Sequence, residues 1–307
     1  MISPTSKKPD VRLRKGQIII GKWHKRQYQV IRLLGSGAIG TVYLCLYQNR
    51  KVALKMSIQS AAITSEVNVL KSFQAVQGHH LGPALIDVDD YVTSAGHHYA
   101  FYIMEYISGD TLTSFINQNG NQWLSPLLLG LVKDLEVLHK QGYVFGDLKL
   151  ENLIVARNPA KLRWVDVGGT TWKGRAIKEY TEFYDRAYWG CGTRKADAGY
   201  DLFALAMVIL RVYYPDGFAR GQNPRKTLRQ KIDQAVDIEP LKHLLKQLVD
   251  QTFHEAGQVH RFLLTHAMKR QTTRAKQVQP INEPLYPVVE MIGVLTVGAG
   301  YCLYLML

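Results

Sequence analysis

Cysteine is scarce in this chain. Cys45, Cys191 and Cys302 are the only three in 307 residues, odd in number and far apart. That pattern excludes a disulfide scaffold and any CxxC metal site, and it suits a reducing compartment. An apolar run of leader length is missing near the start, where Ile18-Ile19-Ile20 is too short. Acidic residues are also short, 25 Asp+Glu against 38 Lys+Arg, which leaves a formal charge of +13. The excess implies attraction to something anionic: nucleic acid, lipid headgroups or phosphorylated ligands. Apolar residues are not short. With 47% hydrophobic and 21% charged residues, wholesale disorder is excluded, and the length allows one large or two modest domains.

The surplus charge is localised. Lys7, Lys8, Arg12, Arg14, Lys15, Lys22, Lys25 and Arg26 face one acid, Asp10, in the first 26 residues. Pro4 and Pro9 suggest a flexible basic segment over 1–25. Arg261, Lys269, Arg270, Arg274 and Lys276 face only Glu255 in the span 253–280. Pro280, Pro284 and Pro287 then mark a linker, 269–287. Residues 288–307 carry a single charge, Glu290, and twenty residues at the helical rise match the thickness of a bilayer core. The expectation is a single C-terminal transmembrane helix, a tail anchor, with residues 1–287 on the cytoplasmic side by the positive-inside rule. The alternative is a buried C-terminal helix.

Between these flanks the pattern changes. Tyr28-Gln-Val-Ile-Arg-Leu-Leu runs into Gly35-Ser-Gly37-Ala-Ile-Gly40 and then Thr41-Val-Tyr-Leu-Cys-Leu. A glycine turn between two β-rich runs is a hairpin. Because a strand and not a helix follows, the glycines argue against a dinucleotide fold and for a flap over nucleotide phosphates. Val52-Ala-Leu-Lys55 places a lysine at the end of an apolar strand, where it needs an anionic partner. Glu66, on the helical pattern of Val67, Leu70 and Phe73, is the natural one, the alternative being a surface glutamate. Phe101-Tyr-Ile-Met-Glu105 reads as a strand, and Leu127–Gln141 as an amphipathic helix. Then come Asp147-Leu-Lys149-Leu-Glu-Asn152 and, fourteen residues on, Asp166-Val-Gly168.

The ordered set of Gly-rich loop, VALK, helix Glu, DxKxxN and DxG resembles the Hanks-type Ser/Thr protein kinases over about residues 26–270. Phe145-Gly-Asp-Leu-Lys, Asp166-Val-Gly-Gly-Thr-Thr and Gly174-Arg-Ala-Ile-Lys-Glu-Tyr-Thr-Glu-Phe-Tyr-Asp-Arg are similar to the small membrane-anchored kinases of endospore-forming bacteria. The resemblance implies an α+β bilobal fold over 26–268, with a β-rich N-lobe at 26–104 and a helical C-lobe at 110–268. It also implies transfer of the γ-phosphate of ATP to Ser/Thr hydroxyls of cytoplasmic proteins, with autophosphorylation and a role in sporulation. Leu34, Gly35, Gly37, Gly40, Val42 and Ala53 would then surround ATP, with Met104 as gatekeeper and the Glu105 and Ile107 backbones bonding the adenine edge. Lys55 would pair the phosphates and be held by Glu66. Asp147 would orient the substrate hydroxyl, Lys149 would neutralise the moving phosphate, and Asn152 and Asp166 would hold Mg²⁺ or Mn²⁺.

Several positions depart from the family pattern. The usual His-Arg-Asp is Phe145-Gly146-Asp147, so the arginine that clamps an activation-loop phosphate is absent and the chain reads as a non-RD kinase. Phe145 takes the apolar support role, and Val167 replaces the usual Phe after Asp166. Arg186-Ala187-Tyr188 stands where Ala-Pro-Glu would fall. Asp201 matches the buried aspartate that anchors the catalytic loop, and Thr181 the threonine that contacts the catalytic Asp and Lys. Thr170, Thr171, Thr181 and Thr193 are candidate autophosphorylation sites. DNA or anionic lipid on the basic segments would supply an activating input, and a homodimer is compatible with the reading. The rival reading is a catalytically weak kinase-fold scaffold at the membrane that binds DNA or a partner protein.

Overall fold

The computed structural model describes residues 12–265, apart from 38, 76–80, 158 and 237. A six-stranded antiparallel sheet forms the first lobe in the order β1-β2-β3-β4-β6-β5. Its strands are β1 (Ile18–Ile20), β2 (Gln27–Ser36), β3 (Thr41–Tyr47), β4 (Arg50–Ser57), β5 (Leu85–Val92) and β6 (His98–Glu105). The sheet is rich in β-branched and aromatic residues, and its inner face buries Tyr28, Val30, Leu54, Phe101 and Ile103. Helix α1 (Ser60–Gln74) packs its Ile63, Val67, Leu70 and Phe73 stripe on this lobe, as the periodicity requires. The alternation of β4 and β6 fixes the site register: Lys55 pairs with Tyr102 and Ala53 with Met104.

The helical lobe follows β7 (Gly109–Thr111). It contains α2 (Leu112–Asn119), α3 (Leu124–Lys140), α4 (Ala198–Tyr213), α5 (Pro224–Gln234) and α6 (Glu239–Val249), with further helix over 256–265. Short strands carry the loops of interest: β8 (Tyr143–Val144), β9 (Leu153–Ala156), β10 (Lys161–Trp164) and β11 (Thr171–Trp172). Helix α4 is apolar on nearly every side and almost wholly buried, so it forms the post around which the lobe packs. Asp197 caps its start by accepting from the Tyr200 N–H at 3.0 Å.

The basic stretch expected to be a flexible segment over 1–25 is built into the sheet from residue 18. Ile19 is 0% exposed, and it pairs with Tyr28. The turn beyond β1 is held to β5: the Trp23 and His24 amides donate to Asp89 at 2.9 and 2.8 Å, and the Lys22 amide to the Asp90 carbonyl at 2.8 Å. Charges at the surface concealed a strand whose apolar residue points inward. The linker expected at 269–287 and the transmembrane helix at 288–307 lie outside the described residues. Among the described residues no helix is long and apolar enough to cross a membrane.

Candidate active site

A cleft of about 440 Å³ is lined by Leu34, Gly35, Val42, Ala53, Met104, Glu105, Ile107, Asn152 and Asp166, all read from the sequence. Arg32, Tyr106, Gly109, Glu151, Ile154 and Val165 complete it. Apolar walls with a few polar groups at one end suit a planar base and a charged tail. Of the loop glycines, Gly35 lines this space. The Gly37 N–H donates to the Gly40 carbonyl at 2.9 Å, which closes the tip of the loop. A Cβ at Gly40 would lie 2.6 Å from the Met56 carbonyl oxygen, so only glycine fits there, whereas a Cβ at Gly35 would meet nothing within 4 Å.

Lys55 is buried, and its ammonium lies between two carboxylates. It donates to Glu66 at 2.9 Å and to both oxygens of Asp166 at 3.1 and 3.2 Å. Burial alone would lower its pKa, but Asp166 and Glu66 outweigh that and raise it, so the lysine is held charged. Tyr102, its strand neighbour, donates to the second Glu66 oxygen at 2.7 Å. Glu66 is therefore clamped from β4 and from β6, an ion pair with its hydrogen bonds satisfied rather than a surface glutamate.

Asp147 lies on the loop after β8, five residues before the cleft-lining Asn152. Lys149 pairs with it at 2.6 Å, and the Asn152 amide nitrogen donates to its carbonyl and its carboxylate at 2.8 and 2.9 Å. Burial pushes the Asp147 pKa up, against the pull of Lys149 and Asn152. Asn152 spends its amide nitrogen on Asp147, so the amide oxygen remains its ligating atom. The Asp166 side chain is 39% exposed, and its Oδ1 also accepts from the Gly168 N–H at 2.9 Å. Two oxygen donors on one cleft fit a hard divalent cation such as Mg²⁺ or Mn²⁺.

The catalytic loop hangs from α4. Asp201 accepts from the amides of Phe145 and Gly146, each at 2.8 Å, and faces His139 Nε2 at 2.8 Å. Phe145 is buried against Trp164 with ring centres 4.8 Å apart. Val167, in place of the usual Phe, is buried. Thr181 is exposed, and among the described residues no hydrogen bond joins its hydroxyl to Asp147 or Lys149. Thr170 is 0% exposed and Thr171 4%, whereas Thr193 is exposed.

Other residues hold the site without a motif to announce them. Arg163 on β10 grips Glu105 through two hydrogen bonds of 2.9 and 2.8 Å and donates to the Gly82 carbonyl at 2.8 Å, which fixes the end of β6 at the cleft. Arg186 forms a bidentate pair with Asp197, both bonds 2.7 Å, and donates to the carbonyls of Thr193 and Lys195. Asp185 is fully buried, accepts from the Ala187 and Tyr188 amides and pairs with Arg194 at 2.7 Å. These two ion pairs organise the segment that lacks the family glutamate.

Comparison with known proteins agrees with this geometry. The protein kinase domain model matches residues 28–281. The serine/threonine-protein kinase YabT of Bacillus subtilis is 44% identical over 276 residues, covering 90% of this chain and 80% of its own. The serine/threonine-protein kinase cds1 of Schizosaccharomyces pombe is 32% identical over 48% of this chain and 34% of its own. The cAMP-dependent protein kinase catalytic subunit 3 of Drosophila melanogaster is 25% identical over 75% and 41%. A charged lysine between two acids, facing a carboxylate with its own lysine and amide, is the arrangement such a match requires, and the chain belongs to the protein kinase family as a protein-serine/threonine kinase.

Proposed function

We propose that this chain is a catalytically competent non-RD kinase that transfers the γ-phosphate of ATP to Ser/Thr hydroxyls of cytoplasmic proteins and of itself. The observation that carries this is the position of Lys55 between Glu66 and Asp166, with Asp147 held by Lys149 and Asn152. Phosphoryl transfer needs positioning and charge neutralisation more than covalent chemistry, and these groups supply both. Mg²⁺ or Mn²⁺, held by Asn152 and Asp166, would neutralise phosphate charge. Lys55 orients the non-transferred phosphates, Lys149 meets charge on the moving one, and Asp147 orients the attacking hydroxyl. The exposed Thr181 and Thr193 are better placed as acceptors than the buried Thr170 and Thr171.

The test is incorporation of labelled phosphate from ATP into the full chain and into myelin basic protein. Lys55→Ala and Asp147→Asn should each lower it by a factor of about 10² or more. Undiminished incorporation in either variant overturns the assignment.

The remaining features extend the reading. The apolar span 288–307 tethers the chain to the cell membrane from the cytoplasmic side. The basic stretches take DNA or anionic headgroups as an electrostatic input. The resemblance of the Phe145–Lys149, Asp166–Thr171 and Gly174–Arg186 runs to kinases of endospore-forming bacteria extends the reading to a role in sporulation. Duplex DNA at low salt should raise activity and lose its effect as salt rises, and anionic vesicles are the control that separates the two polyanions.

A further inference from the structure

The activation segment contains a lysine to which the catalytic roles give no task. Lys178 donates to the Thr170 carbonyl oxygen at 2.7 Å and to Ser65 Oγ at 3.2 Å. Ser65 lies on α1 immediately before Glu66, and Thr170 lies four residues beyond Asp166. One ammonium therefore joins three pieces of chain: the helix that presents Glu66, the loop that presents Asp166, and the activation segment.

The lysine is itself held in place. Ile177, its neighbour, is buried with Val144, Ala196 and Tyr200. The Ile177 N–H donates to the Arg194 carbonyl at 2.9 Å, the Gly174 N–H to Ala196 at 2.7 Å, and the Ala196 N–H to Arg175 at 2.7 Å. Ala176 and Lys195 complete this two-stranded clip. The backbone at 177 is thus bonded to residue 194 while its side chain packs with Val144 of β8 and Tyr200 of α4, so the reach of Lys178 toward α1 starts from a fixed base.

A phosphate clamped by the arginine before the catalytic aspartate would be another way to tie these parts together. Gly146 occupies that position and offers no side chain. The neutral acceptors on Lys178 need no modification to bind an ammonium. We propose that Lys178 is a positioning residue that couples the activation segment to α1 without a phosphate, holding Glu66 on Lys55 through Ser65 and Thr170. The proposal rests on the reading of this chain as an active non-RD kinase.

The experiment uses the full chain with ATP and myelin basic protein, together with amide hydrogen exchange over residues 60–74, which needs no turnover. Lys178→Met should lower kcat about tenfold and leave KM for ATP within about twofold, because a positioning loss falls on the transition state. Lys178→Arg should recover most of kcat. Ser65→Ala should show an intermediate loss of about threefold. Exchange in α1 should quicken in Lys178→Met and Ser65→Ala but not in Lys178→Arg. Phosphatase treatment should leave the parent kcat unchanged. Unchanged kcat and exchange in Lys178→Met overturns the proposal. An arginine variant as poor as the methionine one also does so, and so does loss of activity on phosphatase treatment. If Lys178→Met does not fold, Ser65→Ala decides: parental exchange in α1 sinks the coupling. Turnover surviving in Asp147→Asn would instead overturn the kinase reading itself, and the two failures are distinct.

Discussion

A Cβ placed on Gly146 would lie 2.7 Å from the carbonyl oxygen of Gly169. Gly146 also has φ +77°, where other residues are strained. The loop that leads into Asp147 and the loop after Asp166 therefore touch backbone to backbone. The absence of the arginine is not an empty position waiting for one. Gly146→Arg should lower kcat by about tenfold or more and should not make activity depend on an activation-loop phosphate. Steady-state rates before and after phosphatase treatment measure both. A gain of phosphate dependence with full activity would show that the two loops can separate.

Asp201 is buried and accepts from two catalytic-loop amides. Asp201→Ala removes both acceptors at once and leaves two buried N–H groups without partners. The cost should be about 3 kcal/mol or more of stability. Asp201→Asn keeps one acceptor oxygen and should lose less. Denaturant unfolding orders the variants, and a parental midpoint for Asp201→Ala would mean that α4 does not hold the loop.

Most of the site was legible because its residues lie on short motifs whose order is the signal. Lys55, Glu66, Asp147, Asn152 and Asp166 each sit where the spacing puts them. The strand-turn-strand around Gly35–Gly40, α1 and α3 were legible for the same reason: their apolar periods are clean. What could not be read was long-range pairing. Arg163 and Glu105 are 58 positions apart and belong to different lobes, and no local pattern distinguishes that arginine from a surface one. Strand β1 was hidden because only Ile19 of its three residues is buried, so its pattern is too short to show a period.

Arg186 is the clearest case of a residue whose neighbours in sequence say nothing of its role. The segment lacks the family glutamate, and a loosely held substrate loop would be the simple expectation. Instead Arg186 is buried and gives bonds to Asp197 and to two carbonyls. Arg186→Met would strand the Asp197 carboxylate, although that group is partly exposed and water would take up some of the loss. We expect a cost of about 2 kcal/mol, less than the full value for breaking a buried pair. Phosphorylation of protein substrate should fall more than ATP binding, because the segment lies apart from the nucleotide cleft. Equal losses of both would show that Arg186 supports the whole lobe and not the segment alone.

The pH dependence of catalysis should report the competition at Asp147. Burial raises its pKa, and Lys149 at 2.6 Å works against that rise. Orientation of the substrate hydroxyl needs the carboxylate, so activity is lost as pH falls through the raised value, and the acid limb lies above the ordinary carboxylate range. Lys149→Met removes a lowering influence, so the limb should move to still higher pH in the residual activity, while Lys149→Arg should leave it near the parent. Stability runs in the opposite sense. A folded pKa raised above the unfolded one gives a contribution present below the unfolded pKa and lost as pH rises through the folded one. Asp147→Asn should therefore melt no lower than the parent at neutral pH, with any advantage shrinking as the pH is lowered. The site would then keep a buried charge at some cost in stability because the chemistry requires it. Rate profiles of the Lys149 variants and melting curves of Asp147→Asn across the mildly acidic range decide the matter. An acid limb that does not move in Lys149→Met would mean that Asp147 is not the group being titrated.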